Sequence, residues 1–194
     1  DLKRSQYELD LINEYSQLDS LLMEIEEPSY FDKFINVGKK INKNNSLKDN
    51  VLILKELFEE LEGFIQCFFD EDEKKYLNDT DWKASFKYSS SVFKKLTENS
   101  KIRTTFDGDV DYKYNLIKGV WRFLSVAKHN ATNKERREFL SEHCDYLTAK
   151  SVYSSTMLTL FKIAENVKIN MEETGIKSVK VNPKIQSDSE QITS

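Results

Sequence analysis

The chain has 194 residues but only Gly 5 and Pro 2, too few turn formers and helix breakers for a molecule of many short strands. Cysteine is as scarce. Cys67 lies in "FIQCFF" and Cys144 in "SEHCDY", neither in a CxxC nor in a metal-ligand spacing. That argues against a disulfide-dense or zinc-stapled scaffold and leaves two reduced, packed thiols as the reading. There are only two histidines, His129 and His143, and neither has a glutamate three residues before it, so the Glu-x-x-His pairs of di-iron bundles are missing. No HExxH, Walker, dinucleotide-glycine or GxSxG pattern occurs, and neither a metal nor a cofactor is expected. No apolar run reaches the roughly 18–20 residues of a membrane span, and no leader-like charged and apolar succession is seen. A cytoplasmic protein without a membrane partner is therefore the expectation. The chain begins at Asp1, as an excised domain or a processed product would. Its net charge of −4, with a pI near 5.4, argues against a surface built wholly to coat nucleic acid.

What the chain does have is helix-forming composition, with 39% hydrophobic and 32% charged residues, and apolar residues at three- and four-residue steps. The length suits one domain with a core of its own. Residues 3–27 carry Tyr7, Leu11, Leu18, Leu22 and Ile25 in helical rhythm up to Pro28. "SYFDKFINVGKKI" forms a shorter helix, and Ser46 is placed to cap the next one. That third helix, 47–69, bears Leu54, Leu57, Phe58, Leu61, Phe64, Ile65 and Phe68 on one broad face. A further helix carries Trp82, Phe86, Phe93 and Leu96, and others follow over 112–130, 133–150 and 151–173. The last has Tyr153, Met157, Leu160, Ala164 and Val167 as its core stripe and Gly175 as its stop. The expected architecture is an all-α bundle of about six to eight helices with antiparallel neighbours. Residues 1–175 form its single domain and 176–194 a polar, mobile tail.

Charge is segregated along the chain. Residues 55–73 are acidic, whereas Lys83, Lys87, Lys94, Lys95, Lys101 and Arg103 make the next segment basic. Solvated faces of neighbouring helices that attract one another account for this pattern. "DGDVD" at 107–111 starts like a calcium loop, but Tyr112 and Lys118 stand where the loop needs glycine and glutamate. It reads as a polar turn before a helix. His143, between Phe139 and Leu147 in helical spacing, reads as a partly buried, hydrogen-bonded structural residue.

The segment with the most chemical character is "LIKGVWRFLSVAKHNATN", residues 116–133. On a helix, Leu116, Val120, Phe123 and Ala127 form a core stripe. Asn115, Lys118, Arg122, Ser125 and His129 share a polar stripe on the other side. Arg122 and His129 then stand about 10 Å apart along the axis. A guanidinium that grips phosphate and an imidazole that titrates near neutrality suit RNA cleavage, in which a 2′-hydroxyl loses a proton and the leaving oxygen gains one. One helix supplies too few such groups. A twofold dimer that apposes two stripes supplies twice as many.

"RFLSVAKHN" resembles the signature of HEPN domains, an arginine followed after four to six residues by a histidine near the end of a late helix. The position after the arginine, usually polar in that family, is Phe123 here. The resemblance implies an all-helical, commonly dimeric fold and metal-independent RNase chemistry of a toxin or defence type, or an inactive relative of it. By the same resemblance Arg122 and His129 would be the catalytic residues, with Lys118, Ser125 and Asn115 as auxiliary or RNA-binding groups. Beside it stands a second class, a non-catalytic helical interaction protein such as an immunity, inhibitor or adaptor subunit, that docks a protein partner through the acidic and basic faces.

Overall fold

A computed structural model describes residues 5–68, 119–120, 123–124, 126–127, 134–175 and 177. Within them are six helices: α1 (Gln6–Glu14), α2 (Ser16–Glu24), α3 (Ser29–Gly38), α4 (Leu47–Gln66), α5 (Lys134–His143) and α6 (Tyr146–Thr174). Residues 119–120, 123–124 and 126–127 are also helical, and no strand occurs among the described residues. The fold is all-α.

The stops and starts follow local chemistry. The Ser46 hydroxyl accepts from the Asp49 backbone N–H at 3.2 Å, and the Asp49 carboxylate accepts from the Ser46 N–H at 3.1 Å. This reciprocal box satisfies two donors that the first turn of α4 leaves without helical partners. At the far end of α6, Gly175 adopts φ 69° and its N–H returns to the Met171 carbonyl, a left-handed cap that glycine enters without strain.

Two boundaries differ from the sequence expectation. Residues 3–27 do not make one helix: the run breaks at Tyr15, with φ −108° and ψ 21°. Leu11, Leu18, Leu22 and Ile25 are buried as expected, whereas Tyr7 is 40% exposed. The second correction concerns the last two helices, which divide at Cys144–Asp145 rather than between 150 and 151. Asp145 sets this boundary, because its carboxylate accepts from the Thr148 N–H at 2.8 Å and caps the first turn of α6.

Edge-on rings of Tyr30 and Phe64, 5.3 Å apart, and an ion pair between Lys40 and Glu56 at 2.5 Å make α3 and α4 antiparallel. Tyr15 stacks edge-on against Tyr153, and Glu24 pairs with Lys168, so α2 and α6 run parallel. Between these elements lies the core. All seven apolar residues expected on the 47–69 helix are buried, Phe68 just past the end of α4, as are Tyr153, Met157, Leu160, Ala164 and Val167 on α6. Each large apolar side chain contributes about 1.5–3 kcal/mol on leaving water, and α4 and α6 share this core with α2 and α3, whose Leu22, Phe34 and Ile35 are buried too.

Candidate functional site

Helical spacing gives the 116–133 segment two faces, and the described residues fix which one meets the core. Val120 and Leu124 are buried, and Phe123, Val126 and Ala127 pack partly against the core. Gly119 is exposed, and a methyl group at its Cβ position would have nothing within 4 Å. The expected core stripe is thus correct in Val120, Phe123 and Ala127, with Leu124 the most deeply buried. Arg122, His129, Lys118, Ser125 and Asn115 lie outside the described residues, as do "DGDVD" and the basic 83–103 segment.

His143 departs from expectation. It is exposed rather than partly buried; Leu140 is buried in the core. Leu147, which starts α6 beyond the break, is 68% exposed. No group of three or more His, Cys, Asp or Glu among the described residues could hold a metal. No described helix is long and apolar enough to cross a membrane.

The acidic face of α4 is partly spent within the chain. Glu56 pairs with Lys40 and Glu60 with Lys33, the latter at 3.7 Å. Lys33 also lies over the Tyr30 ring, 4.2 Å from its centroid. Cys67 and Cys144 are both free thiols. Burial pushes the Cys144 thiol up to about 11, with the neighbouring Asp145 charge adding to the shift. Cys67 is also raised, chiefly by burial, so neither is a poised nucleophile.

Two features had no clear signal in the sequence. The first is a groove of about 640 Å³ between α2 and α6, floored by Leu21, Phe161 and Ile169 and flanked by charged residues. Its charges are largely paired: Lys162 with Glu165 at 2.8 Å, and Lys168 with Glu24. The second is a set of buried polar groups on α6. Thr156 donates to the Val152 carbonyl at 2.7 Å and Asn166 to the Lys162 carbonyl at 2.9 Å, but Thr159 Oγ1 and Asn166 Oδ1 are buried without a hydrogen-bond partner. Compared with protein-family models, curated proteins and solved structures, the chain matches none.

Proposed function

We propose that this chain is a HEPN-like, metal-independent ribonuclease of a toxin or defence system that acts as a homodimer. In this reading Arg122 grips the scissile phosphate bidentately. His129 moves the proton between the 2′-hydroxyl and the leaving oxygen. Lys118, Ser125 and Asn115 bind the RNA backbone, and the second copy contributes the other set of groups. What supports it is register. Val120 and Leu124 are buried and Gly119 is exposed, the orientation on which the sequence-derived polar stripe depends.

The test is cleavage of RNA in the presence of EDTA by the wild type, by Arg122→Ala and by His129→Ala. Each substitution is expected to slow cleavage by roughly 10²–10⁴-fold without changing the helical content. Wild type and variants that are equally inert would make the chain an inactive relative or an interaction protein. The interaction reading draws less from the described residues, because Glu56 and Glu60 of its acidic face are already paired with Lys40 and Lys33.

A further inference from the structure

Residues 178–194 lie outside the described residues, but the point from which they leave is fixed. Gly175 ends α6 in the left-handed conformation. Lys177 then donates to the Glu27 carboxylate at 2.5 Å and to the Glu26 carbonyl at 3.4 Å. Glu24, which stands three residues before Glu27, pairs with Lys168 at the end of the α2–α6 groove nearest the helix C-termini, where Glu172 also stands. The chain therefore leaves the described part about one helical turn from that mouth of the groove.

We infer that residues 178–185 occupy this groove as an extended segment of the same chain, running antiparallel to α6, instead of trailing free. The segment reads "SVKVNPKI". Val179, Val181, Pro183 and Ile185 alternate with Lys180, Asn182 and Lys184, so an extended backbone has one wholly apolar face and one polar face. Pro183 suits a segment that lies on side chains and joins no sheet, since it has no N–H to pair.

The step of such a segment fits the groove floor. Two extended residues advance about 6.6 Å and four helical residues about 6 Å. Val179 and Pro183 therefore keep pace with Ile169 and Phe161, which stand eight positions apart on α6. Leu21 lies between these two levels, because Glu24 of the parallel α2 is level with Lys168, and Val181 comes to rest over it. Charge agrees as well. The groove carries Glu24, Glu165 and Glu172 against Lys162 and Lys168, one acid in excess, and Lys180 and Lys184 bring the opposite sign on flexible stems. The short tether from Lys177 holds the segment at an effective concentration on the order of millimolar, which a second copy or a separate peptide lacks. The inference uses none of residues 115–129 and holds whether or not the chain cuts RNA.

Thiol labelling of the full chain tests it. Ser20 is an exposed residue that lines the groove, and the rate at which Ser20→Cys reacts with a maleimide reports whether the groove is covered, with the wild type giving the background from Cys67 and Cys144. Adding Val179→Asp and Val181→Asp is expected to speed that labelling roughly tenfold or more while the circular dichroism melt stays in place. A second arm disrupts nothing and stands even if the aspartates shift the melt. Ser20→Cys combined with Val181→Cys should form an intramolecular disulfide in dilute solution under mild oxidation, identified by mass spectrometry of a digest. Ser20→Cys combined with Ile192→Cys should link roughly tenfold more slowly. Equal labelling with and without the aspartates overturns the inference, and so does equal linking by Val181→Cys and Ile192→Cys. Protection that rises with protein concentration, or single variants that link as readily when mixed, would put a second copy in the groove and overturn it too.

Discussion

Asn50 Nδ2 donates to the backbone oxygen of Cys144 at 2.9 Å, joining the first turn of α4 to the α5–α6 break across 94 positions. Its Oδ1 accepts from Asn45 Nδ2 at 3.3 Å, and that same amide reaches the Lys40 carbonyl at 2.8 Å. One fully buried amide therefore ties three separate turns. Replacing it with leucine keeps the branching at Cγ but leaves the Cys144 carbonyl without this donor. Asn50→Leu is expected to cost about 1–3 kcal/mol, read as a lower urea midpoint at constant slope. An unchanged midpoint would mean that the amide is incidental.

Gly38 and Tyr153 make a second linked pair. A Cβ on Gly38 would stand 2.4 Å from Tyr153 Oη and 2.5 Å from its Cζ, and the ring is held by Oη donating to the Phe34 carbonyl at 3.2 Å. Gly38→Ala should cost about 1–3 kcal/mol through overpacking. Tyr153→Phe in the same chain should not restore stability, since the ring carbon clashes as badly as the oxygen. Full rescue by phenylalanine in a thermal melt would count against the geometry.

The threonines of α6 should respond with opposite signs. Thr159 Oγ1 is buried without a partner, so Thr159→Val removes an unsatisfied hydroxyl and is expected to raise stability by about 1 kcal/mol. Thr156 donates to the Val152 carbonyl, and Thr156→Val should be neutral or slightly destabilising. Equal effects in chemical denaturation would contradict the difference in partners.

Alkaline pH should unfold the protein through groups that burial keeps protonated. The Cys144 thiol is pushed up to about 11 from an ordinary 9.0, and the Tyr30 and Tyr153 phenols are also raised, chiefly by burial. Above pH 9 the unfolded thiol loses a proton that the folded one keeps, so the unfolded state binds fewer protons and stability falls as pH rises. The Cys144 contribution is complete below about pH 9 and is lost as pH passes 11. The urea midpoint is expected to decline over that interval and to decline less in Cys144→Ala.

Much of the fold was legible in the residues. The apolar faces of α4 and α6 could be read from three- and four-residue steps, because burial on one side of a helix writes itself into that period. Ser46 and Gly175 were legible as ends because capping is local chemistry. The break at Tyr15 was not, since the apolar rhythm of α1 continues into α2 without a proline or glycine to mark it. His143 was misjudged because the periodicity gave it a plausible apolar line, whereas α5 turns Leu140 inward and α6 begins afresh at Tyr146. For the candidate site, the sequence supplied a polar stripe with Arg122 and His129, and the described neighbours Val120, Leu124 and Gly119 bear on its register alone.

By itself the sequence determined the helical class, the two principal core stripes and the caps at Ser46 and Gly175, all of which depend on residues within a few positions of one another. Only the tertiary structure decided that Asn50 would serve Cys144 and that Leu147 and Leu158 would stay exposed while the α6 core stripe was buried. Those outcomes depend on which distant surfaces meet. A helical period records that a face is apolar, but not what covers it.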